Sequence, residues 1–213
     1  MLYKLTDKHG RTRAGKINET QWGPRVTHGA KGAPDQPLCT DGWIHAYESP
    51  LIAVIMNPIH AAIETPKLWE SRGEIGERDG QLKCGCRTLT TIREILLPKI
   101  SIDQLIRFAI GIGMLSWNDF SYHQWASNWL NGKDRTVAAA WTAAEVAWAA
   151  GAAAAARAAL VAKAATRTVW TAAEVAWAAE ATAVDFDLFT IAEWAMTEES
   201  FAQLKKRMKG KKK

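Results

Sequence analysis

The sequence predicts an α+β protein in which a small, irregular, β-rich N-terminal domain is followed by an all-helical, Ala-rich C-terminal region. Short alternating segments and turn residues dominate up to Pro98, whereas capping residues and helical spacing dominate after it. With 213 residues, 48% of them hydrophobic and 23% charged, the chain can bury a core and is not disordered. We divide it into a ligand-binding domain (1–100), a helical region (101–204) and a basic tail (205–213).

The N-terminal domain begins with a predicted strand at 2–6, where apolar and polar residues alternate. Turn residues at 7–10 (DKHG) follow, and the segment from Thr12 is expected to return as the hairpin partner of this strand. A Gly- and Pro-rich loop covers 29–37, and 42–47 (GWIHAY) is predicted to be a further strand.

A short helix is predicted next. Ser49 is a favourable N-cap and Pro50 suits the first helical position. The helix through 51–56 should stop near Asn57-Pro58, because the residue before a proline disfavours helical backbone.

Three features complete the N-terminal domain. The tripeptide LWE at 68–70 indicates the start of a strand, and Asp79-Gly80 is typical of a turn. The segment 82–95 alternates and is rich in β-branched residues, so it is the clearest strand prediction in the chain.

The helical region begins with a capping box at 101–104 (SIDQ), whose hydroxyl and amide would satisfy free backbone N–H groups. In the next helix Trp125 and Trp129 are four residues apart and therefore share one face. The dipeptide Asn-Gly at 131–132 is expected to end that helix, and Asp134 is expected to cap the following one.

An internal repeat follows. The decapeptide WTAAEVAWAA occurs at 141–150 and again, letter for letter, at 170–179. This offset is about eight helical turns, so one continuous helix over 135–183 would place both copies on the same face. We expect this long helix, with a helical hairpin as the alternative, because Gly151 weakens a helix by only about 1 kcal/mol relative to Ala.

Tryptophan is unusually frequent, and most of the 11 Trp residues follow position 116. An Ala-rich helix buries little area per residue, so large side chains at intervals are needed to anchor it. The expected anchors are the Trp residues of the two repeat copies, Trp141, Trp148, Trp170 and Trp177. A Trp/Ala stripe of this length would otherwise be partly exposed, and homo-oligomerisation through the helices is therefore predicted.

The formal net charge of +5 is located mainly in the tail. Seven of the 27 Lys and Arg residues fall within 205–213, which leaves 20 positive against 22 negative charges elsewhere. No basic face for nucleic acid is therefore predicted on the body of the protein. The tail is expected to be a solvated, frayed end that adds at most a weak, salt-sensitive attraction to nucleic acid.

The cellular location is predicted to be the cytoplasm of a host bacterium. The chain begins without an apolar leader, and its uncharged stretches fall short of the roughly 20 residues that span a bilayer. Three cysteines, an odd number, fit free thiols in a reducing compartment.

The motifs that could indicate a metal site or a phosphate loop have simpler interpretations. Cys39, Cys84 and Cys86 with His45 form an acceptable zinc set, but the paired CxxC spacing is missing and buried thiols in a sheet are favoured. The Gly-rich segment 29–33 matches no phosphate-loop spacing and is predicted to be a surface loop. No catalytic residue and no cofactor are predicted.

A concentration of aromatic, His and Arg side chains in the first domain indicates a small-molecule pocket. Rings of this kind stack on bases and cations bind phosphates, which suits a nucleotide. The candidate ligand-binding residues are Trp22, Arg25, His28, Trp43, His45, Tyr47, Asn57, His60 and Trp69.

Several segments together resemble a family of uncharacterised phage and prophage proteins: 38–51 (LCTDGWIHAYESPL), 68–70, 83–95 (KCGCRTLTTIREI) and the helix from Ser101. Its members share a Leu-Cys…Gly-aromatic-Ile-His-Ala signature and Ala-rich tails with interspersed Trp. The resemblance implies a viral accessory protein and brings no catalytic residues. The tetrapeptide GWIH also resembles strands of ADP-ribosyltransferase-like domains that bind NAD-like ligands.

The leading hypothesis is a phage counter-defence protein that binds and sequesters a small nucleotide-derived immune signal without catalysis. One alternative is a protein–protein inhibitor that docks its helical Trp/Ala face on a host defence protein. Another is an ADP-ribosyltransferase-like or nucleotide-cleaving enzyme, for which Glu48, Glu70 and Glu94 are acidic candidates by residue type.

Overall fold

The computed structural model describes residues 1–163, 172–176 and 187–211. The chain forms two compact units, Met1–Lys99 and Ile100–Lys213. Among the described residues every strand lies in the first unit, and the second unit is helical. The predicted α+β class is confirmed.

The first unit contains nine strands and one helix. In chain order they are β1 (Leu2–Thr6), β2 (Arg11–Thr12), β3 (Thr20–Gln21), β4 (Val26–Gly29), β5 (Ile44–Ala46), α1 (Pro50–His60), β6 (Lys67–Arg72), β7 (Ile75–Asp79), β8 (Lys83–Cys86) and β9 (Thr88–Ile95). The strands form a four-stranded antiparallel sheet of order β1-β6-β9-β4, a three-stranded sheet of order β5-β8-β7 and the small ribbon β2-β3. A backbone bridge between Tyr3 and Tyr47 joins β1 to the segment after β5.

The hairpin predicted between the first strand and Thr12 is wrong. β1 pairs with β6 in the register Lys4↔Trp69, and β2 pairs with β3 instead. Hydrogen bonds of Asp7 close the turn between β1 and β2: its carboxylate accepts from the backbone N–H groups of His9 and Arg11, and its own N–H donates to the Arg11 carbonyl oxygen. The strand predicted at 82–95 is confirmed as strand structure but is divided at Arg87 into β8 and β9.

Helix α1 begins as predicted, with the Ser49 hydroxyl accepting from the Ile52 N–H, but it does not stop at Asn57. It continues through Pro58 to His60. The Asn57 side chain closes the end by bonding both the N–H and the carbonyl oxygen of Ile63. A proline this close to the C-terminus of a helix removes only one intrahelical bond, and the Asn57 cap offsets that loss.

The second unit contains six helices whose bounds the structure gives, with a further helical stretch at 172–176. They are α2 (Ile102–Ser116), α3 (Phe120–Leu130), α4 (Val137–Ala149), α5 (Ala153–Lys163), α6 (Leu188–Ala195) and α7 (Phe201–Lys211). The capping box of α2 is confirmed. Trp125 and Trp129, which were predicted to share one face of α3, are both buried. Thr136, rather than Asp134, is the N-cap of α4, and Asp134 instead accepts from the Thr136 N–H and hydroxyl.

The single long helix expected from Arg135 onward is wrong, because the chain turns at Gly151. Gly151 adopts φ +72°, a left-handed conformation that ends α4, and α5 then packs back against α4. The hairpin is thus formed by α4, which contains most of the first repeat copy, and by α5, which follows that copy. Of the second copy, 172–176 is helical, and the rest, including Trp170 and Trp177, lies outside the described residues.

Helix α4 is held by its alanines and not by Trp141 and Trp148, the two predicted anchors that lie among the described residues. On α4 the buried side chains are Ala140, Ala143, Ala144 and Ala147, spaced as one helical stripe. Trp141 and Trp148 are 43% and 63% exposed. Small side chains let two helix backbones approach closely, and this contact replaces large anchoring residues.

The basic tail is also more ordered than predicted. It begins inside α7, where Leu204 is fully buried and Arg207 pairs with Glu199 at 2.6 Å. Lys205 lies over the Phe201 ring at 5.0 Å from its centre. The expected frayed end is therefore wrong as far as Lys211.

We predict that Gly76→Ala destabilises the first unit by about 1–3 kcal/mol, because overpacking has a cost of that size. A Cβ at Gly76 would lie 2.5 Å from Cζ3 of the buried Trp43 ring. Gly23→Ala is the matched control, since its Cβ would meet only Val26 at an ordinary 3.6 Å. Urea unfolding followed by circular dichroism measures both variants, and equal midpoints would contradict the prediction.

Candidate functional site

A cavity of about 120 Å³ lies within the first unit. Four residues predicted to form a ligand pocket line it together, Trp22, His28, Trp43 and His45. The other lining residues are Lys4, Thr12, Arg13, Asn18, Thr20, Gly29, Ala30, Lys31, Asp41 and Ile44. The cavity therefore collects side chains from β1 to β5 that are far apart in sequence.

Lys4 on β1 is the buried cation of the cavity, with 9% of its surface exposed. Its ammonium donates a 2.7 Å hydrogen bond to the carbonyl oxygen of His45 and lies 5.5 Å from the centre of the Trp22 ring. Within the first unit, all of which is described, no carboxylate pairs with it. Burial, and then the positive charge of Arg13, lower the pKa of Lys4 to about 8.

Trp22 and His28 form one wall. Trp22 directly follows β3, and its indole N–H donates to the hydroxyl of Thr12 on β2 at 3.0 Å, which holds the ring against the β2-β3 ribbon. The His28 ring stands edge-on to Trp22 at 4.7 Å between centroids, and its Nε2 is 2.7 Å from the Gln21 carbonyl oxygen. Only 3% of Trp22 is exposed, so little of its ring face is open for a base to stack on.

Trp43 and His45 form a second wall. The Trp43 indole N–H donates to the Gln36 carbonyl at 2.7 Å, and the Arg87 guanidinium lies 5.8 Å from its ring centre. The Nε2 of His45 is hydrogen-bonded to the Leu38 carbonyl oxygen. Burial lowers the pKa of His45, so this ring is neutral near pH 7.

Three exposed charged residues mark the mouth of the cavity: Arg13, Lys31 and Asp41. Arg13 has the unusual φ of 55° and pairs with Asp41 at 2.6 Å. The hydrogen bond from Arg13 lowers the pKa of Asp41 below its usual range. Together with the buried Lys4, Arg13 and Lys31 make three cations against the single carboxylate of Asp41. The lining of the cavity therefore carries an excess of positive charge.

The remaining predicted residues are not brought to the cavity. Arg25 is exposed elsewhere on the first unit, and the Trp69 indole N–H donates to the Thr6 hydroxyl inside the sheet. Asn57 caps α1, as described above. Tyr47 stacks on His60 with 6.0 Å between ring centroids, and burial raises the pKa of Tyr47 and lowers that of His60 to about 4.

The cysteines behave largely as buried thiols. Cys84 and Cys86 are buried on β8, as predicted for two thiols on one face of a strand. The hydrogen bond with Cys86, and then burial, raise the pKa of Cys84. Cys39 is exposed, and the Lys83 ammonium lies 3.1 Å from its sulfur. No group of three His, Cys, Asp or Glu side chains suited to a metal occurs in the described part of the chain.

The carboxylates named for an enzyme lie outside the cavity. Glu48 pairs with Arg78, Glu70 with Arg93 and Glu94 with Lys67. The carboxylate that does line the cavity, Asp41, is held by Arg13. The geometry is therefore suited to holding an anion.

Sequence reasoning missed the cations of the cavity, namely Lys4, Arg13 and Lys31. Lys31 lies in the segment predicted to be a simple surface loop. Lys4 did carry a signal: in the segment Leu2 to Thr6 it shares a strand face with Leu2, and a Lys at an inward-facing strand position is unusual.

Comparisons with protein families, curated proteins and solved structures found no match. The resemblance to phage proteins therefore stays a prediction from the sequence. Among the described residues no helix is both long and apolar enough to cross a membrane.

Lys4 should make stability depend on pH between about 8 and 10.5. The pKa of Lys4 is about 8 in the folded state, against 10.5 for a lysine in an unfolded chain. Between these two values the unfolded chain therefore binds more protons than the folded protein. Stability should therefore rise with pH across the window, by up to ~3 kcal/mol from this group. The difference in unfolding free energy between wild type and Lys4→Met measures the effect. Because Cys84 and Cys86 also face Lys4, the contrast with the Met variant is needed, and a pH-independent difference would contradict the prediction.

Proposed function

We propose that this protein is a non-catalytic binding protein that captures a small nucleotide-derived molecule by its phosphate group. The observation that carries the proposal is the buried ammonium of Lys4, which pairs with no carboxylate of the first unit. It lies in a cavity whose mouth is marked by Arg13 and Lys31. A hydrogen bond to a charged group contributes about 1.5–3 kcal/mol, and more than one cation can engage the same phosphate.

The size of the cavity limits which part of the ligand it holds. Sites for whole drug-sized molecules measure about 300–1,000 Å³, whereas this cavity measures about 120 Å³. It suits a phosphate group with a few attached atoms. The base and sugar would then lie at the mouth, because the faces of Trp22 and Trp43 are largely covered.

The biological setting comes from the resemblance to phage and prophage proteins. In an infected bacterium, a protein that binds without catalysis would act by sequestering its ligand. We therefore keep counter-defence against a nucleotide-derived immune signal as the proposed role, and the cytoplasm of the host as its place.

Adenosine monophosphate should bind and adenosine should not, since the phosphate supplies the recognised charge. Lys4→Met should weaken binding of the monophosphate at least tenfold, which is about 1.4 kcal/mol. Lys16→Gln is the matched control, because Lys16 is exposed and does not line the cavity. Titration calorimetry at low and high salt measures each affinity. Equal affinity for adenosine and its monophosphate, or no effect of Lys4→Met, would reject the proposal.

A second function, association with another copy of the chain, is proposed for α4. Val137, Trp141 and Trp148 share one side of this helix and are 54%, 43% and 63% exposed. Glu145 is the one charged residue in α4, so two copies can meet there without burying several charges. This apolar surface favours a second copy over a charged partner such as nucleic acid.

The double variant Val137→Gln/Trp148→Gln should shift the protein to a smaller assembly in size-exclusion chromatography with light scattering. Removing two apolar side chains lowers the area that association can bury. Phe120→Gln is the matched control, since Phe120 is 84% exposed on α3 of the same unit. A wild-type protein that is monomeric at high concentration would rule this function out.

A further inference from the structure

Lys4 differs from the other two cations of the cavity in its chemical group or in its burial. Arg13 carries a guanidinium group and not a primary amine, and Lys31 is exposed to water. Lys4 is a primary amine that is buried, lines the cavity and has a neighbouring guanidinium in Arg13 rather than a carboxylate. These are the surroundings in which a lysine becomes a nucleophile towards carbonyl compounds.

We infer that Lys4 is a covalent, reversible attachment site for small phosphorylated aldehydes, which it binds as imines while Arg13 and Lys31 hold the phosphate. This inference rests on the cavity being the anion site proposed above. It adds a second class of ligand and a second binding mode. The ligand is a phosphorylated carbonyl compound of two or three carbons, whose phosphate lies on Arg13 and Lys31 and whose carbonyl group reaches Lys4 within the cavity of about 120 Å³.

The reaction is a balanced condensation. The lone pair of the unprotonated Lys4 amine attacks the aldehyde carbon to form a C–N bond. The two hydrogens of the amine nitrogen pass to the former carbonyl oxygen, the C–O bond breaks, and one water leaves as the C=N bond forms. No oxidant or reductant is required. Hydrolysis reverses the reaction, so the attachment releases its ligand when the free aldehyde is removed.

The environment of Lys4 supports each requirement of this step. With a pKa of about 8, about a quarter of Lys4 is unprotonated at pH 7.5, against roughly 0.1% of an ordinary lysine. The hydrogen bond to the His45 carbonyl oxygen orients the nitrogen. The Trp22 ring covers one side of the amine and limits its access to water.

The test uses the full-length protein with glycolaldehyde phosphate, followed by borohydride, which reduces the imine to a stable amine. Mass spectrometry of the digested protein should locate the label on Lys4, at an initial rate about tenfold or more above that of any other lysine. Unphosphorylated glycolaldehyde should label Lys4 much more slowly, because it lacks the group that the rim cations hold.

Two variants give the inference a sharp control. Lys4→Arg keeps the positive charge and should lose the label while it still binds inorganic phosphate. Lys16→Arg, at an exposed residue that does not line the cavity, should keep the label on Lys4. Label spread evenly over the lysines, or unchanged in Lys4→Arg, would overturn the inference. If inorganic phosphate and adenosine monophosphate still bind in that case, the proposed anion site stands, and loss of their binding as well would remove both.

Discussion

One buried ammonium group connects the segments of the first unit that form the cavity. Lys4 reaches from β1 to the carbonyl oxygen of His45 on β5 and packs over Trp22, so it links two sheets and the β2-β3 ribbon. Burying a charge without a counter-ion costs free energy, and the lowered pKa of Lys4 measures that cost. The unit thus retains an unfavourable buried charge that lines the cavity, where a bound anion would offset its cost.

The local elements could be predicted from the sequence because their signals are local. The capping box at Ser101, the N-cap at Ser49 and the shared face of Trp125 and Trp129 each involve residues within four positions of one another. The pairing of β1 with β6 could not, since it joins residues more than 60 positions apart. The cavity also depends on non-local contacts, such as the bond from the Lys4 ammonium to the carbonyl oxygen of His45, 41 positions away. Its cations were therefore missed, while its aromatic and His residues were found.

The Ala-rich helices show why one pattern supports two opposite packings. Trp at intervals suggested anchors, yet on α4 the stripe of Ala140, Ala143, Ala144 and Ala147 is buried and Trp148 is exposed. Small side chains give less area per residue but allow a closer approach of helix backbones. α2 uses the same principle, since Gly111 lets the fully buried Trp194 of α6 lie against its backbone.

The division of charge around the cavity decides which ligand chemistry it favours. Arg13 is partly neutralised by Asp41, and Lys31 is exposed to screening by salt, so each contributes modestly by itself. Lys4 has neither compensation, and the proposed contact with an anion would form where water is largely excluded. Such an anion would gain from the site and would also offset the cost of burying Lys4. Binding of the proposed ligand would then be coupled to the stability of the fold through this one residue.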